Sequence, residues 1–512
     1  NLILEARVVS ETIAHYPANA KKLLTKSVAV QVFGQIIMAI SSVLILKIMT
    51  NSLGAKEYGI YSTIIAFVTT FTLFTELGLN SISNREMAKN PEKASEIIDQ
   101  NMGLRLALSV IMIPVVYGLG LAIYPDATVQ FRIGILIMSS FLLIDSVWSI
   151  SAAYFGSKIR NDIPALIAIF QQCLFLLIVI MLCLMKADLI FYIVGYVSAV
   201  GICALIAFVL VRKHIPIRPR HNFKLWKRYI AMSLSFGIMS VINVVYLKID
   251  TIMLSSILGT TASGIYSVAY SLINTFATLS AFIMTGLTPV MATASIAEFG
   301  NIVKKAFHIL LTFGLLLVLV GFYIKNELII VISNYDFISA AIPFSILTVA
   351  TLFSYLYMVF SLACVARDKH HKILYISLFS LFVNVLLNIY LIPRHGIIGA
   401  ACTTLISEFM ALILVYRVYR LETKMRIDIS VTIRPLFAFG IAFASGFLLK
   451  NVFEKMVPIM YIFIFSGMLT LVFFASLYAL GGMPKDLENL VKKSWGMSKL
   501  WSLKLARHKI DD

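Results

Sequence analysis

The sequence predicts an all-α integral membrane protein of about 14 transmembrane helices. They are arranged as two parallel six-helix lobes related by pseudo-twofold symmetry, with two extra helices at the C-terminal end. Three observations predict this: the apolar composition, a succession of long apolar runs, and a short phrase written twice. Of the 512 residues, 60% are hydrophobic and only 13% charged, with mean hydropathy +0.92. A soluble chain carries about 25% charged residues, and one of this size has too little polar surface to cover so much apolar area.

The runs come in order near 27–49, 58–80, 102–123, 132–155, 164–185, 188–211 and 229–256, then 264–291, 304–324, 338–364, 373–393, 397–416, 432–449 and 458–480. A helix rises 1.5 Å per residue, so about 20 apolar residues span about 30 Å of hydrocarbon. The runs lack the period-two alternation of a membrane barrel. The first 26 residues mix charge with apolar residues and show no cleavable leader, so the first span is expected to direct insertion. Cys173, Cys183, Cys203, Cys364 and Cys402 all fall in or beside apolar runs and read as small core hydrophobes.

Net charge is +18. Sorted by loop, roughly 32 of the 43 Lys and Arg fall on one side and about seven on the other. The richer side holds 1–26, the second loop, "RKHIPIRPRHNFKLWKR" at 212–228, "RDKHHK" at 367–372 and the tail. Positive residues stay inside, so both termini are expected in the cytoplasm. The charge is thereby accounted for without nucleic acid as a partner. The tail 481–512 interleaves Leu and Trp with Lys; it reads either as a helix on an anionic inner leaflet or as a solvated segment.

"LGAKEYGIYS" at 53–62 and "LGTTASGIYS" at 258–267 share six identities in ten. They follow spans one and seven. Six spans lie between them, so both halves enter the membrane in the same sense, which predicts a parallel repeat. Domains follow: an N-lobe at 27–211, a basic linker at 212–228, a C-lobe at 229–416, and added spans at 432–480. Gly54 and Gly259 are expected to let the chain turn, Gly59 and Gly264 to allow close helix approach, and Tyr61 and Tyr266 to sit at the headgroup level.

Four stretches carry a family resemblance: the first phrase with "ELGLNSISNREMAK" at 76–89, "KIDTIMLSSILGTTASGIYSVAYSL" at 248–272, "SNYDFISAAIPFSIL" at 333–347, and "VNVLLNIYLIPRHGIIGAACTTLISEF" at 383–409. In their order and spacing the chain resembles the O-antigen and exopolysaccharide flippases of the multidrug/oligosaccharidyl-lipid/polysaccharide exporter superfamily. The resemblance implies transfer of an undecaprenyl-diphosphate-linked sugar unit from the inner to the outer leaflet of a bacterial cytoplasmic membrane. It implies no cofactor, coupling to H+ or Na+, membrane lipids around the chain, and a glycan polymerase and glycosyltransferases as partners. Multidrug antiporters share the fold, and a non-transporting scaffold of a glycan assembly complex is a third reading.

A charge deep in a span costs roughly 2.5–3.5 kcal/mol and marks a candidate site. The candidates are Lys47, Glu76, Arg105, Asp145, Lys248, Asp250 and Glu408, with Arg434 at the margin. Lys47 and Asp250 occupy equivalent helices, about 9 and 12 Å inside the repeated turn. They are expected to face each other or the cavity between lobes, unless they snorkel to headgroups. Lys248 and Asp250, two residues apart, lie on different helix faces. Asp145 is expected either to take a proton or to bond a neighbouring helix. Glu76 and Glu408 fit structural pairing as well as function. Arg85 and Arg105 read as topology charges near the inner surface, or as bidentate ligands for a diphosphate. Asn384 and Asn388, spaced i and i+4, read as interhelix hydrogen-bonding groups.

No G-x-x-x-x-G-K-[ST], HExxH, CxxC or GxSxG pattern occurs. His370 and His371 sit in a basic loop and read as solvated charge. The polar outer loops of a membrane glycan enzyme are lacking, so no enzyme is expected.

Overall fold

The structure is a computed structural model and describes residues 18–453 and 456–483. The expectations for residues 1–17 and for the tail beyond 483 lie outside the described residues. All regular structure among the described residues is helical.

The first half contains α1 (Ala18–Thr70), α2 (Thr72–Glu76), α3 (Leu79–Lys89), α4 (Ala94–Ile123), α5 (Val129–Ser139), α6 (Phe141–Ser157), α7 (Asp162–Leu184) and α8 (Leu189–Arg212). The second contains α9 (Phe223–Leu258), α10 (Thr260–Thr293), α11 (Ile296–Ile332), α12 (Ala341–Val365) and α13 (His370–Thr423), followed by α14 (Ile429–Phe453) and α15 (Pro458–Ala479). Among the described residues, eleven helical stretches are long and apolar enough to cross a membrane. Two of them, Phe33–Lys89 and His370–Thr423, run to 57 and 54 residues. Each bends sharply at a glycine: Gly54 with φ 69° and ψ 178°, and Gly396 with φ 60° and ψ −138°.

Two apolar runs are less regular than their composition suggests. The run at 132–155 divides near Ser140 into α5 and α6. The run at 58–80 is interrupted after Thr70 and again at Leu77 and Gly78, which have φ 44° and 77°. Hydropathy reports burial in lipid or core and is blind to backbone dihedrals, so neither break was visible in it.

One core cluster joins the halves at the end bearing Gly54 and Gly259. It includes Leu53, Tyr58 and Ile64 of α1, Leu254 of α9, and Tyr266 and Leu272 of α10. A second lies wholly within the later half. There Phe299, Leu310, Tyr355 and Phe360 pack with Phe465 and Leu469, so α15 rests on that half.

At the opposite end, the basic linker is docked on the first turns of α4. The Arg218 backbone N–H donates to Asp99 Oδ1 at 2.6 Å, and Arg220 N–H to the Asp99 carbonyl at 3.2 Å. Ser95 Oγ donates to the Pro216 carbonyl at 2.7 Å. Trp226 then buries itself against Leu79 and Leu104. The linker thus delivers α9 into the middle of the molecule. From there α9 packs against α1, α2, α3 and α4 as well as α10 and α13.

Candidate functional site

The repeated phrase meets its own copy. Gly54 and Gly259 (φ 89°, ψ 169°) turn the chain with a dihedral pair open essentially to glycine alone. Each turn places the following helix so that Gly59 lies against Gly264. A methyl group on Gly59 would stand 1.9 Å from the Thr260 carbonyl oxygen, and one on Gly264 would stand 2.6 Å from Gly59 Cα. Beside them Thr63 and Ser263 share a 2.7 Å hydrogen bond. Tyr124, at the end of α4, bonds Ser255 Oγ at 2.7 Å. The glycine end is therefore closed by backbone-to-backbone packing between the halves.

The tyrosines of the phrase do not sit at a headgroup level. Tyr61 is 8% exposed, and Tyr266 is fully buried with its hydroxyl donating to Asp250 Oδ2 at 3.0 Å. A hydroxyl taken out of water is held by a strong acceptor, and the carboxylate supplies it.

A polar network fills the first half. Arg105 donates to Asp145 Oδ2 at 3.0 Å and to Asn80 Oδ1 at 3.2 Å, and Asn80 donates to Glu76 Oε1 at 3.2 Å. The Arg105 side chain is 1% exposed and Asp145 22%. Arg105 is thus no topology charge at the surface; it is a deeply buried cation, and Asp145 is its counterion. This pairing satisfies two charges that apolar surroundings would otherwise penalise. Removing one partner costs about 3–5 kcal/mol, while exchanging both for apolar groups is near neutral. Asp145→Asn is accordingly expected to lower the unfolding temperature in detergent sharply. Arg105→Met combined with Asp145→Leu is expected to recover most of it. If the single variant melts like the parent, the pair is not structural. Arg85, by contrast, is exposed.

A second cluster gathers around Asp250, which is 4% exposed. Besides Tyr266 it accepts from Asn388 Nδ2 at 2.7 Å and from Thr404 Oγ1 at 2.6 Å. Asn388 also donates to Asn384 Oδ1 at 3.0 Å, and the Ala400 carbonyl oxygen lies 3.2 Å from Thr404 Oγ1. The Gly396 bend makes this cluster possible, because it folds the two arms of α13 so that Asn388 and Thr404 converge. The Asn388 carboxamide oxygen is buried without a donor. The expected facing of Lys47 and Asp250 is not found. Among the described residues the hydrogen bonds to Asp250 come from Tyr266, Asn388 and Thr404 of the second half, and Lys47 is exposed. Equal depth in equivalent helices did not set the azimuth around each helix.

Lys248 stands on the other side of α9. It precedes Ser255 by seven residues and follows Gly237 by eleven, near two and three whole turns of 3.6 residues. Ser255 touches Tyr124, and a methyl on Gly237 would stand 2.6 Å from the Leu77 carbonyl oxygen. That face of α9 is therefore turned toward the first half, with contacts above and below Lys248. The lysine itself is half-buried and makes no hydrogen bond or ion pair among the described residues. Glu408 lies against Tyr246 and Ser354, one turn from Thr404 toward the linker end. Among the described residues no group of three His, Cys, Asp or Glu side chains is placed to hold a metal.

Sequence reasoning named Asp250, Asn384 and Asn388 separately, and the fold joins them. It missed Thr404 and Tyr266 of the same cluster and Asn80 of the other. Tyr266 was in view inside the repeated phrase. Its spacing from Asp250 gave no sign of contact, because a turn intervenes.

The model of the family described as "Polysaccharide biosynthesis protein" matches residues 24–295, just over half of the chain, and the MatE model matches 236–390. A capsular polysaccharide biosynthesis protein, CapF of Staphylococcus aureus, is 25% identical over 211 residues, which are 40% of this chain and 53% of that protein. The match thus spans about half of that relative's length. The fold is similar to that of the lipid II flippase MurJ in an inward closed conformation, with TM-score 0.67 and 14% identity over 90% of this chain and 99% of that one. An inward-facing multidrug resistance transporter of the MATE family aligns with TM-score 0.57 and 12% identity over 78% and 98%. With this helical fold and more than half its length matched, the chain belongs to the polysaccharide biosynthesis protein family of the MOP superfamily, the multi-pass membrane proteins that include polysaccharide flippases.

Proposed function

We propose that the protein carries a lipid-linked oligosaccharide from the inner to the outer leaflet of the cytoplasmic membrane by alternating access, driven by a monovalent cation. The observation that carries this reading is the two-sided chemistry of α9. One face presents Lys248, an unpaired cation between two contacts with the first half. The opposite face seats Asp250 among uncharged oxygen and nitrogen groups of α10 and α13. A single helix that holds an anionic group on one side and a cation on the other links the two events mechanically. The relative's role in capsular polysaccharide biosynthesis and the fold neighbour's in lipid II flipping support a polyprenyl diphosphate as the anion. The excess of Lys and Arg on the linker side supports a cytoplasmic position for that end and for both termini.

Arg105 is neutralised by Asp145, and Arg85 is exposed at the first-half rim. Lys248 is then the cation free to meet a diphosphate within the gap. A hydrogen bond to a charged group contributes about 1.5–3 kcal/mol. Lys248→Gln is expected to weaken substrate binding by about 10- to 150-fold. It is checked by measuring lipid-linked sugar on each leaflet of cells carrying the variant. Transport at the parental rate would remove Lys248 from this role.

Between H+ and Na+, the Asp250 cluster favours Na+. A proton needs one acceptor. The oxygens gathered here, those of Asp250, Thr404, the Ala400 carbonyl and the Asn388 carboxamide that is buried without a donor, are a set that solvates a hard cation. Bound there, Na+ neutralises a carboxylate that apolar surroundings otherwise penalise.

The deciding experiment is depletion of the protein followed by leaflet-resolved detection of the lipid-linked sugar. Accumulation on the inner leaflet is the expected result. No accumulation together with drug hypersensitivity would support a multidrug antiporter instead. No accumulation with a disassembled glycan machinery would support a scaffold.

A further inference from the structure

The contacts between α9 and the second arm of α13 repeat along an antiparallel pair. Thr404 bonds Asp250, and four residues further along α13 Glu408 lies against Tyr246, four residues before Asp250. The two levels are about 6 Å apart along the helix axes. Polar groups continue from Glu408 toward the linker end. Ser354 flanks its carboxylate, Tyr357 lies one turn further along α12, and the Tyr357 hydroxyl meets Ser377 Oγ at 3.2 Å. Ser377 is seven residues into α13, close to the linker end.

These groups border an internal space rather than lipid. Glu408, Tyr246, Ser354, Tyr357 and Ser377 are each half-buried. From Pro343 to Val365, α12 exposes no large hydrophobic side chain, unlike the helices that face lipid. The Tyr246 hydroxyl oxygen is buried beside the Glu408 carboxylate. The glycine end, meanwhile, is closed by the Gly59–Gly264 contact. A polar row thus runs from the linker end through an otherwise apolar half and stops at Asp250.

The geometry points to Glu408 as an inner cation station, where Na+ pauses between the linker end and the Asp250 cluster. This rests on the reading of that cluster as the Na+ site. An ion crossing apolar surroundings loses hydration at a high cost, and a carboxylate at mid-route lowers the highest point of the path. A station differs from the terminal site in one measurable way. Its loss slows entry and exit together and leaves the equilibrium nearly unchanged.

The test uses the full chain in lipid nanodiscs, without sugar lipid, and follows radioactive Na+ at fixed pH. The parent is expected to bind Na+, and Asp250→Asn to lose binding. Glu408→Gln is expected to keep the affinity within about threefold while association and release both slow at least about tenfold, the effect of about 1.4 kcal/mol on a barrier. Glu408→Asp, which keeps the charge, is expected to restore rates to within about threefold of the parent. Parental rates in Glu408→Gln would overturn the station. Loss of equilibrium binding in both Glu408 variants would also overturn it, making Glu408 a ligand of the terminal site. A parent that binds no Na+ would remove the Asp250 assignment as well, while the leaflet experiment would stand on its own.

Discussion

Gly59→Ala will leave the protein inserted in the membrane but unable to close its glycine end, and export of the lipid-linked sugar will fall. The reason is the 1.9 Å separation between the added methyl and the Thr260 carbonyl oxygen. The obstructing atom belongs to backbone, so no side-chain rotation relieves it; the helices themselves must part. Gly264→Ala will do the same from the other side, against Gly59 Cα at 2.6 Å and the Ala55 carbonyl oxygen at 2.7 Å. Overpacking of this kind costs about 1–3 kcal/mol. Under the proposed alternating access, that shifts the population by about 5- to 150-fold toward the open glycine end. A cysteine at Ser263, in a chain whose five native cysteines are replaced, reports the change. Its labelling by a membrane-impermeant maleimide from outside will rise by that factor. Gly118→Ala is the control, since a methyl there meets nothing within 4 Å. Should Gly59→Ala export normally and leave position 263 protected, the glycine contact is not a gate.

The second large effect is a reversal of stability with Na+. In Na+-free buffer, Asp250→Asn will be at least as stable as the parent, because it removes a buried charge within a span, a cost of roughly 2.5–3.5 kcal/mol on insertion scales. The Tyr266 and Thr404 hydroxyls can rotate to serve an asparagine as well as a carboxylate. With Na+ at about 100 times its dissociation constant, the parent gains about 2.7 kcal/mol through binding and the variant gains nothing. The two unfolding temperatures therefore approach or cross as Na+ is raised, while K+ at equal ionic strength leaves their order unchanged. Transport by Asp250→Asn will be lost at every Na+ concentration. Parallel unfolding curves for parent and variant would count against the cation site, whatever the transport result. Thr404→Val, which removes one hydroxyl and keeps the carboxylate, will shift the Na+ midpoint to higher concentration without abolishing the response.

Much of this architecture could be read from the residue order, and the readable part has a common physical origin. Apolar runs of about 20 residues report the thickness of hydrocarbon, and glycines before a repeated G-I-Y-S report a turn that side chains forbid. Those properties are local or one-dimensional. The breaks at Ser140 and at Leu77–Gly78 depend on dihedral angles, and composition does not encode them. The pairing of charges was misread for a related reason. By sequence Arg105 reads as a topology charge near the inner surface or as a diphosphate ligand, yet Asp145, forty residues later, pairs with it in the interior. Lys47 and Asp250 were matched by depth, which the sequence gives, without azimuth, which it does not.

By itself the sequence determined an apolar helical membrane protein with a duplicated core, a basic side, and a short set of charges too costly to be incidental. Desolvation makes these readable, since burying a charge or exposing an apolar run is penalised wherever the chain later goes. Only the tertiary structure decided which charges answer one another. It set Arg105 against Asp145, gathered Tyr266, Asn388 and Thr404 around Asp250, and left Lys248 alone between the halves. Hydrogen bonds and ion pairs act over about 3 Å, and which groups come that close depends on the bends at Gly54, Gly259 and Gly396 and on the rotation of each helix about its axis.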